Sequence, residues 1–293
     1  MTTRLPITKT PKCYVGGKFI RSESGRVFPL ETKKGEFLCN IPQCSRKDLR
    51  NAVEAAGKAG SGWAARSAYN RGQILYRLAE MMESRAVELI SSLLLPDASA
   101  AKAKAAAKEV AVAIDRLVYY AGWTDKFEQV LGSTNPVSGS FFNFSVTEPV
   151  GVVGMIAPGT PSLLGLVTQI APAVASGNSV VALASEENPY PAILLGEMLA
   201  VSDFPGGVVN LLTGSAGELM ETMASHEHIR GLDLCVEDGL AKEAGALAAQ
   251  SIKRVKLRTA SESVASWAKP EKQSPYAIRD FIEFKTTWHP VGV

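Results

Sequence analysis

Cysteine is scarce in this sequence, and the spacing of the few present argues against two kinds of site. The four cysteines of the 293 residues are Cys13, Cys39, Cys44 and Cys235. Only Cys39 and Cys44 lie close together, no spacing is typical of a zinc site, and a chain of this length needs no disulfide framework. The three histidines add no metal-binding spacing, so we expect free thiols, no metal and a reducing compartment.

A charge imbalance and long apolar runs are also lacking. The 31 Lys and Arg are balanced by 29 Asp and Glu, and a net charge of +2 gives no electrostatic reason to expect nucleic acid or an anionic membrane as partner. Every apolar stretch is interrupted well before the length that spans a bilayer. Residues 1–10 show no apolar core of a signal peptide. We therefore predict a cytoplasmic protein with no membrane and no nucleic-acid partner.

The first part of the chain is predicted to be mainly helical. Residues 14–30 are typical of two short strands joined by a turn at Gly16–Gly17. A helix is expected after Ser45, and a longer one carries apolar residues at helical spacing: Leu75, Leu78, Met82 and Leu89. The Ala- and Lys-rich residues 98–110 favour an exposed helix, with a low-complexity tail as the alternative.

The centre of the chain alternates regularly between short strands and helices. The predicted strands are 151–156, 179–184, 208–212, 230–236 and 254–257. Short runs of β-branched apolar residues between helices of about ten residues are typical of a parallel sheet covered on both faces. This pattern predicts an α/β fold with a Rossmann-like, doubly wound parallel sheet.

Two flanking segments differ from this alternation. The Gly-, Ser- and Pro-punctuated residues 131–148 surround an aromatic strand and predict a hairpin. Residues 259–275 are polar and typical of a linker, and Ser274–Pro275 is expected to begin a helix, with Ser at its N-cap. The final residues, 285–293, predict a strand with no partner beside it in the sequence.

Six blocks of the sequence follow one another in the order and spacing of a known family. They are EPVGVVGMIAP (148–158), APAVASGNSVV (171–181), ASEENPYPA (184–192), FPGGVVNLLTG (204–214), SHEHIRGLDL (225–234) and IKRVKL (252–257). The opening YVGGKF and the closing FIEFKTTW fit the same pattern. By these motifs the chain resembles the aldehyde dehydrogenase superfamily.

This resemblance implies a domain organisation without a catalytic domain. Residues 1–130 and 149–260 are expected to form the coenzyme-binding, Rossmann-like domain, and residues 131–148 with 274–293 an oligomerisation arm. Residues 261–273 stand as a linker in place of the catalytic domain. The chain is thus expected to be a truncated member, similar to the degenerate second module of two-module aldehyde dehydrogenases.

Positions that carry catalysis in the family are changed here. The Asn that donates to the developing oxyanion aligns with Thr160, and losing one such donor typically costs about 10²–10³ in rate. The general base, a Glu, aligns with Arg258, which stays protonated near neutral pH. The nucleophilic Cys belongs to the missing domain, and no cysteine here has its Gly-Gln-x-Cys context. We therefore predict no catalytic residue in an oxidoreductase-type chain.

The coenzyme-binding positions are expected to survive only as vestiges: Ile156, Pro158, Ser185 and Glu186. The family's Lys-Pro-Ser-Glu run, which holds the adenosine ribose, reads Leu183-Ala184-Ser185-Glu186 here. Loss of a charge-assisted hydrogen bond costs about 1.5–3 kcal/mol. Glu186 is read either as a ribose ligand or as an ordinary carboxylate at a helix N-terminus.

The diphosphate position carries acids in this sequence. In the family a Phe-Thr-Gly-Ser turn opens a helix toward the diphosphate, and Glu237 and Asp238 occupy that place here. We expect both to cap the helix and to repel phosphate. NAD(P) is the cofactor that the family implies, yet tight binding is not expected.

Three functions remain open from the sequence. The favoured one is a non-catalytic structural or regulatory subunit that pairs with a full-length aldehyde dehydrogenase through the hairpin and the C-terminal strand. The alternatives are an NAD(P)-binding oxidoreductase and a nucleotide sensor, each with a rebuilt site. Self-association through helices of the Rossmann layer is the competing form of assembly.

Overall fold

A computed structural model of the chain describes residues 7, 9–95, 99–260 and 262–292. Three residues that bound predicted segments lie outside the described residues. They are Ala98 of the predicted helix, Ser261 of the predicted linker and Val293 of the predicted C-terminal strand. Most of residues 1–10 lie outside them as well.

The described residues form strands and helices in the following order along the chain. The strands are β1 (Cys13–Val15), β2 (Lys18–Ile20), β3 (Val27–Glu31), β4 (Phe37–Pro42), β5 (Ser133–Asn135), β6 (Phe141–Pro149), β7 (Val152–Ile156), β8 (Ser179–Leu183), β9 (Val209–Leu212), β10 (Ile229–Cys235), β11 (Arg254–Arg258) and β12 (Ile282–Pro290). The α-helices are α1 (Arg46–Ala64), α2 (Ala68–Ser84), α3 (Ala86–Leu94), α4 (Ala100–Trp123), α5 (Phe127–Leu131), α6 (Ser162–Ala175), α7 (Tyr190–Leu199), α8 (Ala216–Ser225), α9 (Asp238–Ala249), α10 (Val264–Trp267) and α11 (Tyr276–Arg279).

The central sheet has seven strands in the order β11-β10-β7-β8-β9-β1-β2. The five strands from β11 to β9 are parallel, whereas β1 joins β9 antiparallel and β2 extends the sheet as a hairpin. The chain runs outward from β7 to β9 on one side and then returns to β10 and β11 on the other. The doubly wound fold is confirmed, and its switch point lies between β7 and β10, where open α/β sheets usually bind ligands.

The N-terminal helices are fixed on this sheet by buried polar contacts. Ser45 and Asp48 form a reciprocal capping box that begins α1, as the sequence predicts. Trp63 donates from Nε1 to the Val174 carbonyl at 2.9 Å, and Arg71 donates from Nε to the Ala175 carbonyl at 3.1 Å. Both bonds attach the helical layer to the C-terminal end of α6.

The predictions for the N-terminal part are wrong at two places. The second predicted strand divides, since β2 ends at Ile20 and residues 27–31 pair instead with β4. Pro29 makes this hairpin difficult to predict. A proline has no N–H to donate to a neighbouring strand, so its presence usually argues against a strand. The predicted long helix breaks at Arg85, so that Leu89 belongs to α3.

The arm is a separate antiparallel sheet in the order β12-β6-β5. The hairpin predicted at 131–148 is confirmed, and β12 pairs with β6 from Ile282↔Pro149 to Pro290↔Phe141. The last strand therefore begins at Ile282, ahead of the predicted residues 285–293. The short helix before it is assigned from Tyr276, with Pro275 at the position before it, and the Ser274 hydroxyl accepts a hydrogen bond from the Tyr276 amide at 3.2 Å, as expected of a serine at an N-cap.

Residues 262–281 depart from the expected polar linker. They contain α10, a 3-10 turn at Pro270–Lys272 and α11, and the side chain of Trp267 is buried against the core. Because most residues around Trp267 are polar, the sequence pattern does not indicate that its side chain is buried. In the part of the chain that the structure describes, no helix is long and apolar enough to cross a membrane.

Candidate functional site

The carboxyl ends of β7 and β8 bring the predicted coenzyme residues to one edge of the sheet. Ile156 ends β7, is buried, and lies in register with Leu183 of β8 and Leu234 of β10. Pro158 follows on the same edge, and its ring packs so close to Gly165 of α6 that a Cβ there would lie 2.2 Å from Pro158 Cγ. This contact holds the loop between β7 and α6 against the helix.

The other two predicted residues make contacts within the protein. The Ser185 hydroxyl donates to the Gly159 carbonyl at 2.7 Å and accepts from the Asn188 amide at 3.1 Å. The Glu186 carboxylate accepts a hydrogen bond from the Ala216 amide at the start of α8. Glu186 therefore lies at a helix N-terminus, where the helix dipole favours a carboxylate.

The N-terminus of α9 carries two exposed acids. Glu237 is its N-cap residue and Asp238 its first residue, but Glu237 makes no side-chain capping hydrogen bond, so the expectation that these acids cap the helix by hydrogen bonding is wrong for Glu237. A diphosphate at this helix would still meet their charge, and two unit charges about 4 Å apart interact by roughly 1–4 kcal/mol near a protein surface. These residues do not fit a bound diphosphate.

The position aligned with the family's base is engaged in an ion pair. Arg258 donates to Asp233 from Nε to Oδ1 at 2.6 Å and from Nη2 to Oδ2 at 2.7 Å. The Arg258 side chain is 12% exposed and that of Asp233 1%. Burial disfavours the charged guanidinium, but the attraction of Asp233 and their hydrogen bonds outweigh it and raise the pKa of Arg258. The group is a permanent cation.

Gln169 of α6 contacts the Asp233 side of this ion pair. Its Nε2 lies 3.1 Å from the Asp233 carboxylate, 2.9 Å from the Asp233 carbonyl and 3.1 Å from the Ile156 carbonyl, so its two hydrogens are shared among three acceptors. Strands β7, β10 and β11 are thereby joined at the switch point by side chains as well as by their backbones. Sequence reasoning missed Asp233 and Gln169, since neither matches a motif.

Residues 262–281 cover the ion pair. The Arg258 guanidinium lies 5.4 Å from the ring centre of Trp267, and Lys272 lies 5.7 Å from it. Arg116 of α4 donates to the Trp267 carbonyl at 3.0 Å and to the Thr168 hydroxyl at 2.6 Å. The short segment between β11 and β12 is therefore packed on the Rossmann layer.

The oxyanion position lies at a cavity of about 390 Å³ between α4 and the loops after β7 and β8. The Thr160 hydroxyl donates to Glu187 Oε2 at 3.1 Å. The buried Glu109 carboxylate accepts from the Leu163 and Leu164 amides at 2.9 and 3.2 Å, so it occupies the first amides of α6. Burial raises the pKa of Glu109 in spite of these bonds.

The cavity contains charges of both signs. Lys33 and Lys102 line it together with Glu109 and Glu187. Gly159 passes so close to Glu187 that a Cβ there would lie 2.2 Å from Glu187 Oε1. The Thr160 hydroxyl has its hydrogen directed to a carboxylate, which differs from a donor free to meet a developing oxyanion.

The remaining candidate groups for chemistry are a thiol and two imidazoles. Cys235 at the end of β10 is buried, and burial raises the pKa of Cys235 to about 11, so it is a thiol at neutral pH. The His226 and His228 rings lie 5.8 Å apart at the end of α8. Over the described ranges, no group of three or more His, Cys, Asp or Glu residues could hold a metal ion.

Comparison with known proteins extends these observations. The model of the aldehyde dehydrogenase family matches residues 19–266. Retinal dehydrogenase 2 of Gallus gallus is 37% identical over 230 residues, which is 77% of this chain and 43% of that protein. Omega-crystallin of Enteroctopus dofleini is 34% identical over 230 residues, or 76% of this chain and 45% of that protein.

Solved structures agree with the sequence relatives. An NAD+ complex of aldehyde dehydrogenase from Bacillus cereus superposes with a TM-score of 0.81 at 26% identity and covers 86% of this chain and 51% of that one. The chain thus spans about half the length of the proteins it matches. Because the family model extends over most of the sequence, this chain belongs to the aldehyde dehydrogenase family.

Proposed function

We propose that this chain is a non-catalytic member of the aldehyde dehydrogenase family that pairs with a full-length aldehyde dehydrogenase subunit. The observation that carries the proposal is the edge of β12. This strand extends over Ile282–Pro290 and pairs on one side with β6, while its other edge meets no strand among the described residues. A strand of this length with a free edge is a template for strand addition.

The side chains of the arm strengthen this interpretation. Phe141 and Trp288 are 44% and 57% exposed, and their rings meet edge to face at 5.7 Å. Phe284 lies on the same face of β12 as Trp288, two pleats away, and is also exposed. Exposed aromatic residues beside a free strand edge are typical of an interface that a partner covers.

The absence of catalysis is supported by the groups at the two aligned catalytic positions, Arg258 and Thr160, and by the state of the Cys235 thiol. Arg258 is a cation paired with Asp233, the Thr160 hydroxyl is directed to Glu187, and Cys235 is a buried thiol. None of the three can act as the family's base, oxyanion donor or nucleophile in this arrangement. A partner subunit would supply the chemistry, and this chain would stabilise or position it.

NAD(P) remains the cofactor suggested by family membership, and weak binding is the outcome we propose. Glu186 is bonded at α8 and the two acids at α9 oppose a diphosphate. The alternative, an NAD(P)-binding oxidoreductase or nucleotide sensor with a rebuilt site, predicts a clear rise in melting temperature on addition of NAD. Ligand at one hundred times its dissociation constant adds about 2.7 kcal/mol of stability.

The proposal is tested by co-expression with a full-length family member from the same host, followed by size-exclusion chromatography. The two chains are expected to co-elute, and deletion of residues 285–293 to abolish co-elution. Trp288→Ser should weaken the complex, whereas Tyr69→Ser, which changes a comparably exposed aromatic on α2, should leave it intact. Co-elution of the truncated chain, or a stable monomer of the intact chain, would contradict the proposal. We expect this assembly in the cytoplasm.

A further inference from the structure

Two buried cysteines that are distant in sequence meet at the edge of the central sheet. Cys13 lies in β1, and Cys44 immediately precedes the capping residue of α1. Their sulfur atoms are 3.4 Å apart, and the Cys13 sulfur also lies 3.2 Å from the Thr213 hydroxyl at the end of β9. Both thiols are free, and the residues are 1% and 0% exposed.

The hydrogen bonds around this pair have a definite direction. The Thr213 hydroxyl has one hydrogen, and it donates to the Pro42 carbonyl at 2.5 Å, because a carbonyl can only accept. The Cys13 thiol must then donate to Thr213, and the Cys44 thiol to the Cys13 sulfur. The two sulfurs are therefore held in contact by a chain of hydrogen bonds that ends on the backbone.

The other two cysteines provide an internal comparison. Cys39 is buried in the small core under β3 and β4, and Cys235 has its sulfur 3.5 Å from the Thr259 carbonyl. Among the described residues, neither forms a hydrogen bond with another thiol. Contact between two sulfurs is thus a property of one pair and not a general result of burying thiols.

We propose that Cys13 and Cys44 form a dithiol oxidation site that closes to an intramolecular disulfide when the protein meets a small peroxide. The sulfurs need to approach by roughly 1.4 Å to reach the usual bond length of about 2.05 Å. The enclosed position favours an oxidant of the size of hydrogen peroxide over a bulky disulfide such as oxidised glutathione.

The reaction balances with peroxide as the only oxidant. The Cys13 thiolate attacks one peroxide oxygen, the O–O bond breaks, and Cys13 becomes a sulfenic acid as hydroxide leaves and takes up the thiol proton as water. The Cys44 sulfur then attacks the sulfenic sulfur, the S–S bond forms, and the hydroxyl leaves with the Cys44 proton as a second water. Two thiols are oxidised and one peroxide is reduced to two waters.

The assignment of Cys13 as the attacking sulfur agrees with the electrostatics. The hydrogen bond from Cys44, opposed by burial, lowers the pKa of Cys13. The same contact, together with burial, raises the pKa of Cys44. Cys44 is therefore the thiol that remains protonated and resolves the sulfenic acid.

The disulfide would link β1 directly to the residue before α1. Cys13 and Cys44 lie 31 positions apart, so the bond would close a loop that contains the β1–β2 and β3–β4 hairpins. Reduction would release it again. This site lies at the central sheet, whereas β12 belongs to the arm, and it is independent of the pairing function proposed above.

The experiment uses the Cys39→Ser, Cys235→Ser double variant, in which only the proposed pair remains. Cys39 must be replaced because residues 35–46 contain no internal Lys or Arg, so trypsin leaves Cys39 and Cys44 on one peptide. Treatment with hydrogen peroxide should lower the intact mass by two hydrogen atoms and reduce the number of free thiols, counted after denaturation, from two to zero. Dithiothreitol should restore both.

Single replacements supply the matched controls. Addition of Cys13→Ser or Cys44→Ser to the double variant should abolish the mass loss, and the remaining thiol should instead gain oxygen or stay unchanged. If either variant fails to fold, peptide mapping of the unaltered chain decides: residues 13–18 must be cross-linked to residues 35–46, and fragmentation of the linked peptides must place the bond on Cys44 and not on Cys39. Stable oxygen adducts without a cross-link, a cross-link to Cys235, or two thiols that survive peroxide would overturn the proposal.

Discussion

Arg258 on β11 and Asp233 on β10 form a bidentate ion pair across two neighbouring parallel strands, with donor–acceptor distances of 2.6 and 2.7 Å. The pair lies at the switch point of the sheet, beneath Trp267. By the resemblance described above, Arg258 occupies the position of the family's general base. In this chain the same place contributes to the stability of the fold.

Removal of Arg258 should therefore destabilise the protein. Arg258→Met leaves the buried Asp233 carboxylate without its cation, and breaking a buried pair from one side typically costs about 3–5 kcal/mol. Denaturation in urea, followed by circular dichroism, measures the change. Lys285→Met breaks the exposed pair of Lys285 with Glu148 and serves as the control, for which about 0–1 kcal/mol is expected. Equal losses in the two variants would show that the buried pair has no special role.

Glu109 should make the stability depend on pH. Burial raises its pKa in the folded protein above the value of about 4.3 in an unfolded chain, so the folded state holds the proton more tightly. Its contribution is present below about pH 4.3 and is lost as the pH rises through the folded pKa.

Glu109→Gln provides the test of this dependence. The amide oxygen can still accept from the Leu163 and Leu164 amides, and no charge is buried at any pH. The variant should be as stable as the parent near pH 4 and more stable near pH 7. Urea midpoints at both values measure this, and a variant that is less stable at pH 7 would show that the ionised carboxylate stabilises α6.

Binding of NAD or NADP by the isolated chain should be too weak for a micromolar dissociation constant. Isothermal calorimetry measures it directly. Replacement of Glu237 and Asp238 by Ser removes both charges from the start of α9 and should strengthen binding by tenfold or more, since each charge contributes about 1–4 kcal/mol at 4 Å. Leu183→Lys is unsuitable, because Leu183 is fully buried in β8. Micromolar binding by the unaltered chain would contradict this prediction.

The isolated chain should not oxidise aldehydes. The reason is the set of contacts at Arg258, Thr160 and Cys235, which leaves none of these three groups available as base, oxyanion donor or nucleophile. Formation of NADH with several short aldehydes is the measurement. A variant without the four cysteines serves as the control for thiol-dependent turnover, and sustained NADH production by either protein would reveal another nucleophile.

The sequence predicts the central layer well because the signal is local. The strands β7, β8 and β9 are mostly apolar runs bounded by turn residues, and burial on both faces requires that composition. The order of the strands depends on contacts between distant segments, and no local pattern predicts it. Short elements around prolines, such as the hairpin containing Pro29, escape prediction because proline is compatible with several local structures.

The contacts that matter most at the candidate site could not be predicted in this way. Asp233 and Arg258 are 25 positions apart, and Cys13 and Cys44 are 31 apart, so only the strand order brings them together. Trp267 stands among polar residues and gives no periodic signal. These relationships depend on the assembled fold, which a pattern of local composition does not contain.

The pairing of β12 with β6 affects how the connection between β11 and β12 can vary in length. Ile282 is held opposite Pro149, directly before β7, while Arg258 is fixed at the end of β11. Whatever connects these two anchored points is an insertion whose length hardly affects the framework, since doubling a loop costs only about 0.6 kcal/mol in closure entropy. A longer connection at this junction should therefore leave the sheet in place, provided that Trp267 keeps its buried position.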